Sequence, residues 1–599
     1  MPADWLKLTT HRLDIYNEGQ AKVEFLEAFD AIYESGEIAA DKLASLPTAY
    51  DYIRLGHPLS SVLEWAIAKM NSLAPSQVIS FSSSVAPIIA ILRTNLLNGK
   101  QTRILYSQEL PNFFNADVLR TVYGFNFHLE KVEDASDLSP FDGSTVMVNS
   151  SEDLTALGLQ AGIDFVVNIE ADLGSVVVVN GQENEQYVSQ IQHFRRRETI
   201  AMTPADCLTA LKQILGEAVD AYGQPGNTIN KAAVLKTIKE ITGANTDALV
   251  ASSGLSMQYA IMMGLIDDAI KNHPNKDIKV LIPPNCYGGT NDQARRVAAT
   301  LDRVEVLDLP VDAGNDMVSS INSRLDEIAQ LDAVPYIIAE IPTNPRVEVP
   351  DLEDLRKALS KVRHTPDGHP AVAPVFILDQ TFCPNFPFLG ASDVLADVKA
   401  IAYVSGSKFP SGGRCTAGYT VANEKAAHLM GPIGLHLALC DNEATDLQYE
   451  ILAEQMPSML ERIDGAYVNT REFVNHIEKV LPNAKINFVS EELAAQGFTP
   501  SVFSLDLPTK GESEQERESH KRALNLKLIN LMIGAIPEES KYCVSYGQLK
   551  GCYWTIPATS TQGTTKEGDK DYIVRVAVAP EMYVEKHKEV FSSFVHDLS

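Results

Sequence analysis

The chain has 599 residues, which at roughly 150 residues per domain suggests about four domain-sized units. Hydrophobic residues make up 45% and charged residues 21%, which excludes collagen-like, low-complexity and disordered classes. With 50 Lys+Arg against 78 Asp+Glu the net charge is −28, so a polyanion would have to find a local basic patch, and nucleic acid is not an expected partner. The compact basic run, Arg195-Arg196-Arg197, ends a helix-like stretch and reads as a solvated face.

The opening, Met1 to Asp14, carries Asp4, Lys7, His11 and Arg12 and does not read as a signal peptide. No run of about 18 uncharged apolar residues is present, so no membrane association is expected. Seven cysteines (Cys207, Cys286, Cys383, Cys415, Cys440, Cys543 and Cys552) are scattered without a C-x-x-C pair. That pattern argues for a reducing compartment and against a disulfide framework or structural zinc. A cytoplasmic enzyme without a metal site is the expectation.

In chain order, Ser82-Ser83-Ser84 follows an apolar strand-like run, and Ser252-Ser253-Gly254 follows another. The same offset aligns Tyr52-Ile53-Arg54 with Tyr222-Gly223-Gln224, which suggests a degenerate internal repeat. Further on, Ile163 to Val167 resembles Ala396 to Ala400, and Gly174 with Val176 to Val179 resembles Gly418 to Val421. The first copy is shorter between these points, and the segment it lacks contains Lys408.

In the second copy, Val280-Leu281-Ile282, Tyr336 to Ala339 and Val375 to Leu378 are strand-sized apolar runs, each ending in a polar or Pro-rich loop. Helical stretches, Met317 to Leu331 and Leu352 to Val362, lie between them. Alternation of this kind predicts a mostly parallel sheet covered by helices, with ligands beyond the carboxyl ends of the strands. After about residue 430 the pattern changes. Glu443 to Lys479 predicts a long helix, broken or kinked at Pro457. Phe488, Val502 to Leu505 and Ile573 to Val576 read as strands, with Lys510 to Arg522 as an exposed loop or helix start. The expected division is residues 1–195, a lysine-less degenerate half; 196–430, the large domain; and 431–599, a small α+β domain.

The chemistry concentrates in the second copy. Lys408 lies in Ser405-Gly406-Ser407-Lys408-Phe409-Pro410-Ser411-Gly412-Gly413, a small-residue loop after the strand-like run Ile401 to Val404. Asp379 directly follows Val375 to Leu378, and a carboxylate at the end of a buried strand is costly without a partner. A protonated pyridine nitrogen is one such partner; a cap on the following loop through Thr381 is the other reading. Ser252-Ser253-Gly254-Leu255 opens a helix, whose N–H groups suit a phosphate and equally suit an ordinary cap. Tyr287, in Pro283 to Thr290, puts an aromatic ring at the same edge.

Together these segments resemble the cystathionine synthase/lyase family of pyridoxal-phosphate enzymes, the fold-type-I Cys/Met metabolism group, over about residues 220 to 585. Glu340-Ile341-Pro342-Thr343-Asn344-Pro345 is similar to the family's E-x-P-x-N-P, and Asp379-Gln380-Thr381-Phe382 to its D-N-T-F. Ser405 to Gly413 is similar to its S-x-T-K-[FY]-x-x-G, with Ser407 in the threonine place. Ser545-Tyr546-Gly547, Pro557-Ala558 and Ile573-Val574-Arg575-Val576 resemble its C-terminal substrate region. The resemblance implies an α/β fold-type-I transferase with a mostly parallel seven-stranded sheet and a smaller C-terminal α+β domain. It implies that Lys408 binds pyridoxal phosphate covalently and shuttles protons, Asp379 holds the pyridinium, and Tyr287 stacks on the ring and protonates a leaving group. Gly254, Leu255, Ser405 and Ser407 would hold the phosphate, Asn344 the phenolic oxygen, and Arg575, with Ser545, the amino-acid substrate.

The family's Y-x-R motif clamps a partner subunit's cofactor phosphate. Here the second copy has Gln224 for the arginine, while the first keeps Tyr52 and Arg54 but has Pro111 near the place of the stacking tyrosine. The expectation is an intrachain pseudo-dimer in which a silent first half supplies Tyr52 and Arg54, with further homo-oligomerisation left open. A plain stabilising extension at residues 1–195 is the competing reading. Gly289 stands where methionine γ-lyases carry a cysteine, which disfavours that activity. The resemblance implies trans-sulfuration chemistry in methionine and cysteine biosynthesis. Cystathionine γ-synthase-like γ-replacement on an activated homoserine leads, with C–S lysis as the alternative. A non-catalytic regulatory paralogue is the rival class, disfavoured because Lys408, Asp379, Tyr287 and Arg575 are all retained.

Overall fold

Short apolar runs flanked by polar loops form the strands of three sheets in the computed structural model of the chain. It describes residues 1–6, 18–36, 39–47, 53–133, 138–151, 153–170, 172–218, 227–311, 316–543, 549–557 and 572–598. The first sheet contains β1 (Val78–Phe81), β2 (Thr102–Tyr106), β3 (Phe127–Lys131), β4 (Ser144–Ser150), β5 (Phe165–Glu170) and β6 (Gly174–Val179). Its order is β1-β6-β5-β4-β2-β3, with β6 antiparallel to both neighbours and the others parallel.

The second sheet contains β7 (Leu249–Ala251), β8 (Ile278–Ile282), β9 (Val304–Asp308), β10 (Val334–Glu340), β11 (Val375–Asp379), β12 (Lys399–Ser405) and β13 (Gly418–Ala422). Its order is β7-β13-β12-β11-β10-β8-β9, with β13 antiparallel to β7 and β12 and the rest parallel. Removing either β10 or β11 reproduces the order of the first sheet. The expected mostly parallel seven-stranded sheet is therefore present. Its central strands are covered on both faces, so β10 is buried along its whole length.

Helices Ala86–Leu97 and Gln186–Glu198 of the first half pack with Gly254–Asn272 and Met430–Leu439 of the second in one continuous apolar core between the two sheets. Residue 195 thus falls inside a helix. The long helix expected after Glu443 is broken at Pro457, into Asp446–Gln455 and Met459–Val480. The helix Glu514–Ala535 begins inside the charged segment, capped by Ser513. A third, mostly antiparallel sheet follows: β14 (Lys485–Asn487), β15 (Val502–Asp506), β16 (Ser540–Tyr542), β17 (Gly551–Pro557) and β18 (Tyr572–Ala577), in the order β14-β15-β18-β17-β16.

The arginine run corrects the expectation of a solvated face. Arg195 is 1% exposed: its Nη1 donates to Glu64 Oε1 (2.8 Å) and Ser80 O (2.9 Å), and its Nη2 to Leu55 O. Glu64 is also bound by Lys22 Nζ at 2.5 Å. Burial alone would raise Glu64; Lys22 and Arg195 outweigh it and hold the carboxyl at about 2. The run is internal because its helix lies between the halves, where carboxylates meet it. All seven cysteines are buried and none forms a disulfide. Among the described residues no helix is long and apolar enough to cross a membrane, and no acidic or His/Cys cluster could hold a metal.

Candidate active site

The carboxyl ends of β8, β10, β11 and β12 converge on one place. β10 and β11 run in register, so Glu340 pairs with Asp379, and two carboxylates share a site from which water is largely excluded. Glu340 Oε1 accepts from Tyr287 N at 2.8 Å, while Oε2 has no hydrogen-bond partner among the described residues. Asp379 Oδ1 accepts from Thr381 N (2.9 Å), so the loop-capping reading accounts for part of its hydrogen bonding. Burial and the neighbouring Asp379 push Glu340 up to about 8. Burial raises Asp379 as well, opposed by Thr381, Tyr403 and the charge on Lys408. Burial and its carboxylate neighbour thus favour the protonated form of Glu340 near neutral pH.

Lys408 is 9% exposed and sits in the loop between β12 and β13. The loop is wound tightly: Gly406 N donates to Ala417 O (2.7 Å), Ser411 N to Gly406 O (3.0 Å) and Gly413 N to Lys408 O (3.1 Å). Gly412 and Gly413 take φ of 59° and 76°, a left-handed conformation that favours glycine. Phe409, fully buried in the apolar cluster around the third sheet, anchors the loop. The counterpart in the first half is far shorter: Glu170 pairs directly with Gly174, as Ser405 does with Gly418, and no comparable loop lies between.

The helix Gly254–Asn272 points its N-terminus at the same place. Ser253 Oγ caps it by accepting from Ser256 N (3.0 Å), which leaves the N–H groups of Gly254 and Leu255 without a protein acceptor among the described residues. A Cβ on Gly254 would stand 3.0 Å from Ser405 Cβ, so the missing side chain leaves the approach open. Ser405 Oγ and Ser407 Oγ lie 3.4 Å apart beside it. The matching position in the first half is closed. Ser84 N and Ser84 Oγ both donate to Asp441 Oδ2 at 2.8 Å, and Ser83 Oγ accepts from Val85 N and Ala86 N. Residues expected to hold a phosphate and a pyridinium therefore fit that group in the second half: unengaged N–H donors at a helix start, and a buried pair of carboxylates that a cation would relieve.

Tyr287 stands at the N-cap position of the helix Gly288–Ala298 and is 37% exposed. Arg54, from the first half, donates through Nη2 to Tyr287 Oη (3.1 Å) and through Nη1 to Arg196 O (2.7 Å). Burial would raise the phenol, but Arg54, Arg197 and Lys408 outweigh it and bring it down to about 8. Arg575, on β18, donates from Nη1 to Asn344 Oδ1 (2.7 Å) and Pro345 O (3.1 Å), and its guanidinium lies 5.2 Å from the centre of the Phe382 ring. The third sheet is thereby tied to the loop after β10. Lys408, Asp379, Tyr287, Gly254, Leu255, Ser405, Ser407, Asn344, Arg575 and Arg54 are all brought to this region. Tyr52, Tyr222, Gln224 and Ser545 lie outside the described residues.

Sequence reasoning gave Glu340 no role beyond its place in the E-x-P-x-N-P motif, read Arg197 as part of a solvated face and did not single out Asp292. Glu340 carried the same signal as Asp379, a carboxylate ending an apolar run. The arginines had only their apolar neighbours Ile191, Phe194 and Ile200 to hint at burial. Space is tight at Gly289: a Cβ there would stand 2.5 Å from Tyr287 Cε1, 2.9 Å from Leu255 Cδ1 and 3.1 Å from Arg197 Nη1. Gly289→Ala is therefore expected to displace the Tyr287 ring and lower kcat/KM by roughly 10²-fold, as about 1 Å of misplacement does, with the phenol titration moving alongside.

No family model matches the chain, and no curated protein matches it. Among solved structures, it is similar to cystathionine gamma-lyase from yeast, at 16% identity over 64% of this chain and 90% of that chain, with a TM-score of 0.47. It is also similar to cystathionine gamma synthase from Xanthomonas oryzae pv. oryzae, at 16% identity over 62% and 86% of the two chains, TM-score 0.44. A third likeness is to CalE6, a methionine gamma lyase from Micromonospora echinospora, at 16% identity over 61% and 86%, TM-score 0.45.

Proposed function

We propose that the chain is a pyridoxal-phosphate enzyme of sulfur amino-acid metabolism, with one cofactor site per chain and cystathionine γ-synthase-like γ-replacement as its reaction. The observation that carries this reading is the meeting of Lys408, the Glu340–Asp379 pair and Tyr287 beside the open N-terminus of the helix Gly254–Asn272. Asp379, Lys408, Asn344, Ser405, Ser407, Gly254 and Leu255 would hold the cofactor. When bound, pyridoxal phosphate supplies the electron sink for negative charge at the substrate α-carbon.

The chain's own groups do the rest. Arg575 binds the substrate carboxylate in bidentate fashion. Lys408 Nζ moves the α-proton. Tyr287 Oη, with its phenol at about 8, can both accept and return a proton near neutral pH. Crowding at Gly289, where even a Cβ meets Tyr287, supports γ-replacement over methionine lysis, since a cysteine there needs more room still.

The first half is a silent copy in this reading. Its sheet has the same strand order less one strand, its β5–β6 link has no room for a lysine loop, and Asp441 occupies the helix N-terminus that would face a phosphate. Borohydride reduction of protein incubated with pyridoxal phosphate, followed by peptide mapping, tests both points. The expected result is a yellow protein that bleaches, with one adduct per chain, on Lys408. A protein that stays colourless would sink the proposal and favour a regulatory paralogue.

A further inference from the structure

The end of the helix Gln186–Glu198 belongs to the first half, yet it is laced to the tyrosine of the second. Arg197 is 3% exposed, and its Nε donates to Asp292 Oδ2 at 2.7 Å. Asp292 lies on the helix with Tyr287 at its N-cap position, and the same oxygen is 2.7 Å from His193 Nε2. Burial would raise Asp292; His193 and Arg197 lower it, so the carboxylate is charged and holds the guanidinium in place. Gln293 Nε2 fixes the backbone as well, donating to Arg197 O (2.7 Å) and to Leu255 O (2.9 Å) at the start of the phosphate-facing helix. The space that Gly289 leaves open is bordered by Tyr287 Cε1 on one side and Arg197 Nη1 on another. Arg196 O, one residue earlier, orients the Arg54 guanidinium that reaches Tyr287 Oη.

We propose that Arg197 is a positioning residue for Tyr287: held by Asp292, it fixes the ring and stabilises the phenolic oxygen when its proton leaves, so that the silent half sets the acid–base state of the active half. The proposal rests on the reading of Tyr287 as the acid–base group. The charged or titratable groups acting on that phenol are Arg54 and Arg197 from the first half and Lys408 from the β12–β13 loop, with Glu340 bound to the tyrosine's own N–H. A buried cation within a few ångströms typically lowers an acid by about 1–3 pH units, and the phenol at about 8 has the expected sign.

Titration of the phenol in cofactor-free protein separates this proposal from the cofactor reading. The ultraviolet phenolate signal of Tyr287 is taken as the difference between the protein and its Tyr287→Phe variant, and the same pair is measured with Arg197→Met. The expected result is a titration moved upward by about one unit or more, largely restored in Arg197→Lys. In the loaded enzyme the pH–rate limb assigned to Tyr287 should move with it. A Tyr287 titration that does not move in folded Arg197→Met protein overturns the proposal, whether or not Lys408 carries the cofactor. Should Arg197→Met fail to fold, Arg197→Gln keeps an N–H for Asp292 and removes the charge. The same upward shift is then expected, and its absence is equally fatal.

Discussion

Lys408→Ala protein is expected to fold, to remain colourless after incubation with pyridoxal phosphate, and to lose activity by roughly 10⁴-fold or more. Acid–base catalysis alone is commonly worth about 10²–10⁴, and this lysine would also hold the cofactor. Folding should survive because the loop is held by its own backbone hydrogen bonds and by the buried Phe409. Asp379→Ala should behave differently. Its loop contact to Thr381 is lost and Glu340 is left as the remaining acid of the pair, so some cofactor still binds while the rate falls by roughly 10³-fold. Absorbance spectra and single-turnover rates of the two variants distinguish a lost anchor from a lost charge. Equal activity in Lys408→Ala and the parent protein would refute the assignment.

Arg195→Met is expected to destabilise the chain by about 3–5 kcal/mol, read as a lower urea midpoint, because it leaves Glu64 in the interior with Lys22 as its remaining cationic partner. The pH dependence follows from the direction of the shift. Glu64 has a folded value of about 2 against an ordinary value of about 4.5. Its contribution to stability is present above about 4.5 and is lost as pH falls toward about 2. Losing Arg195 raises the folded value, so acid unfolding of the variant should begin at higher pH. Circular dichroism against pH, with Glu64→Gln as the matched variant lacking the titration, checks the sign. An acid limb unchanged in both variants would remove Glu64 as its cause.

Much of the second half was legible because its signals are local. Val375 to Leu378 ending in Asp379, and Tyr336 to Ala339 ending in Glu340, are patterns that a buried parallel strand imposes on its own few residues. The loop of small residues around Lys408 could be read in the same way, since Gly412 and Gly413 answer a local backbone requirement. Pro457 broke its helix where the missing N–H demanded. The arginine run was misjudged because a charged sequence looks the same whether it faces water or a carboxylate from another element.

What the sequence by itself determined is the set of strands and the groups that end them, since hydrophobic period and turn chemistry act over a handful of residues. What only the tertiary structure decided is which distant groups meet. Arg54 reaches Tyr287, Arg195 meets Glu64, Arg197 meets Asp292, and Asp441 closes the helix start at Ser84. Arg195–Glu64 joins distant elements within the first half and the other three join the halves, each in an interior where low dielectric makes an unpaired charge costly and the position of the opposite charge decides its state. No local pattern encodes that position.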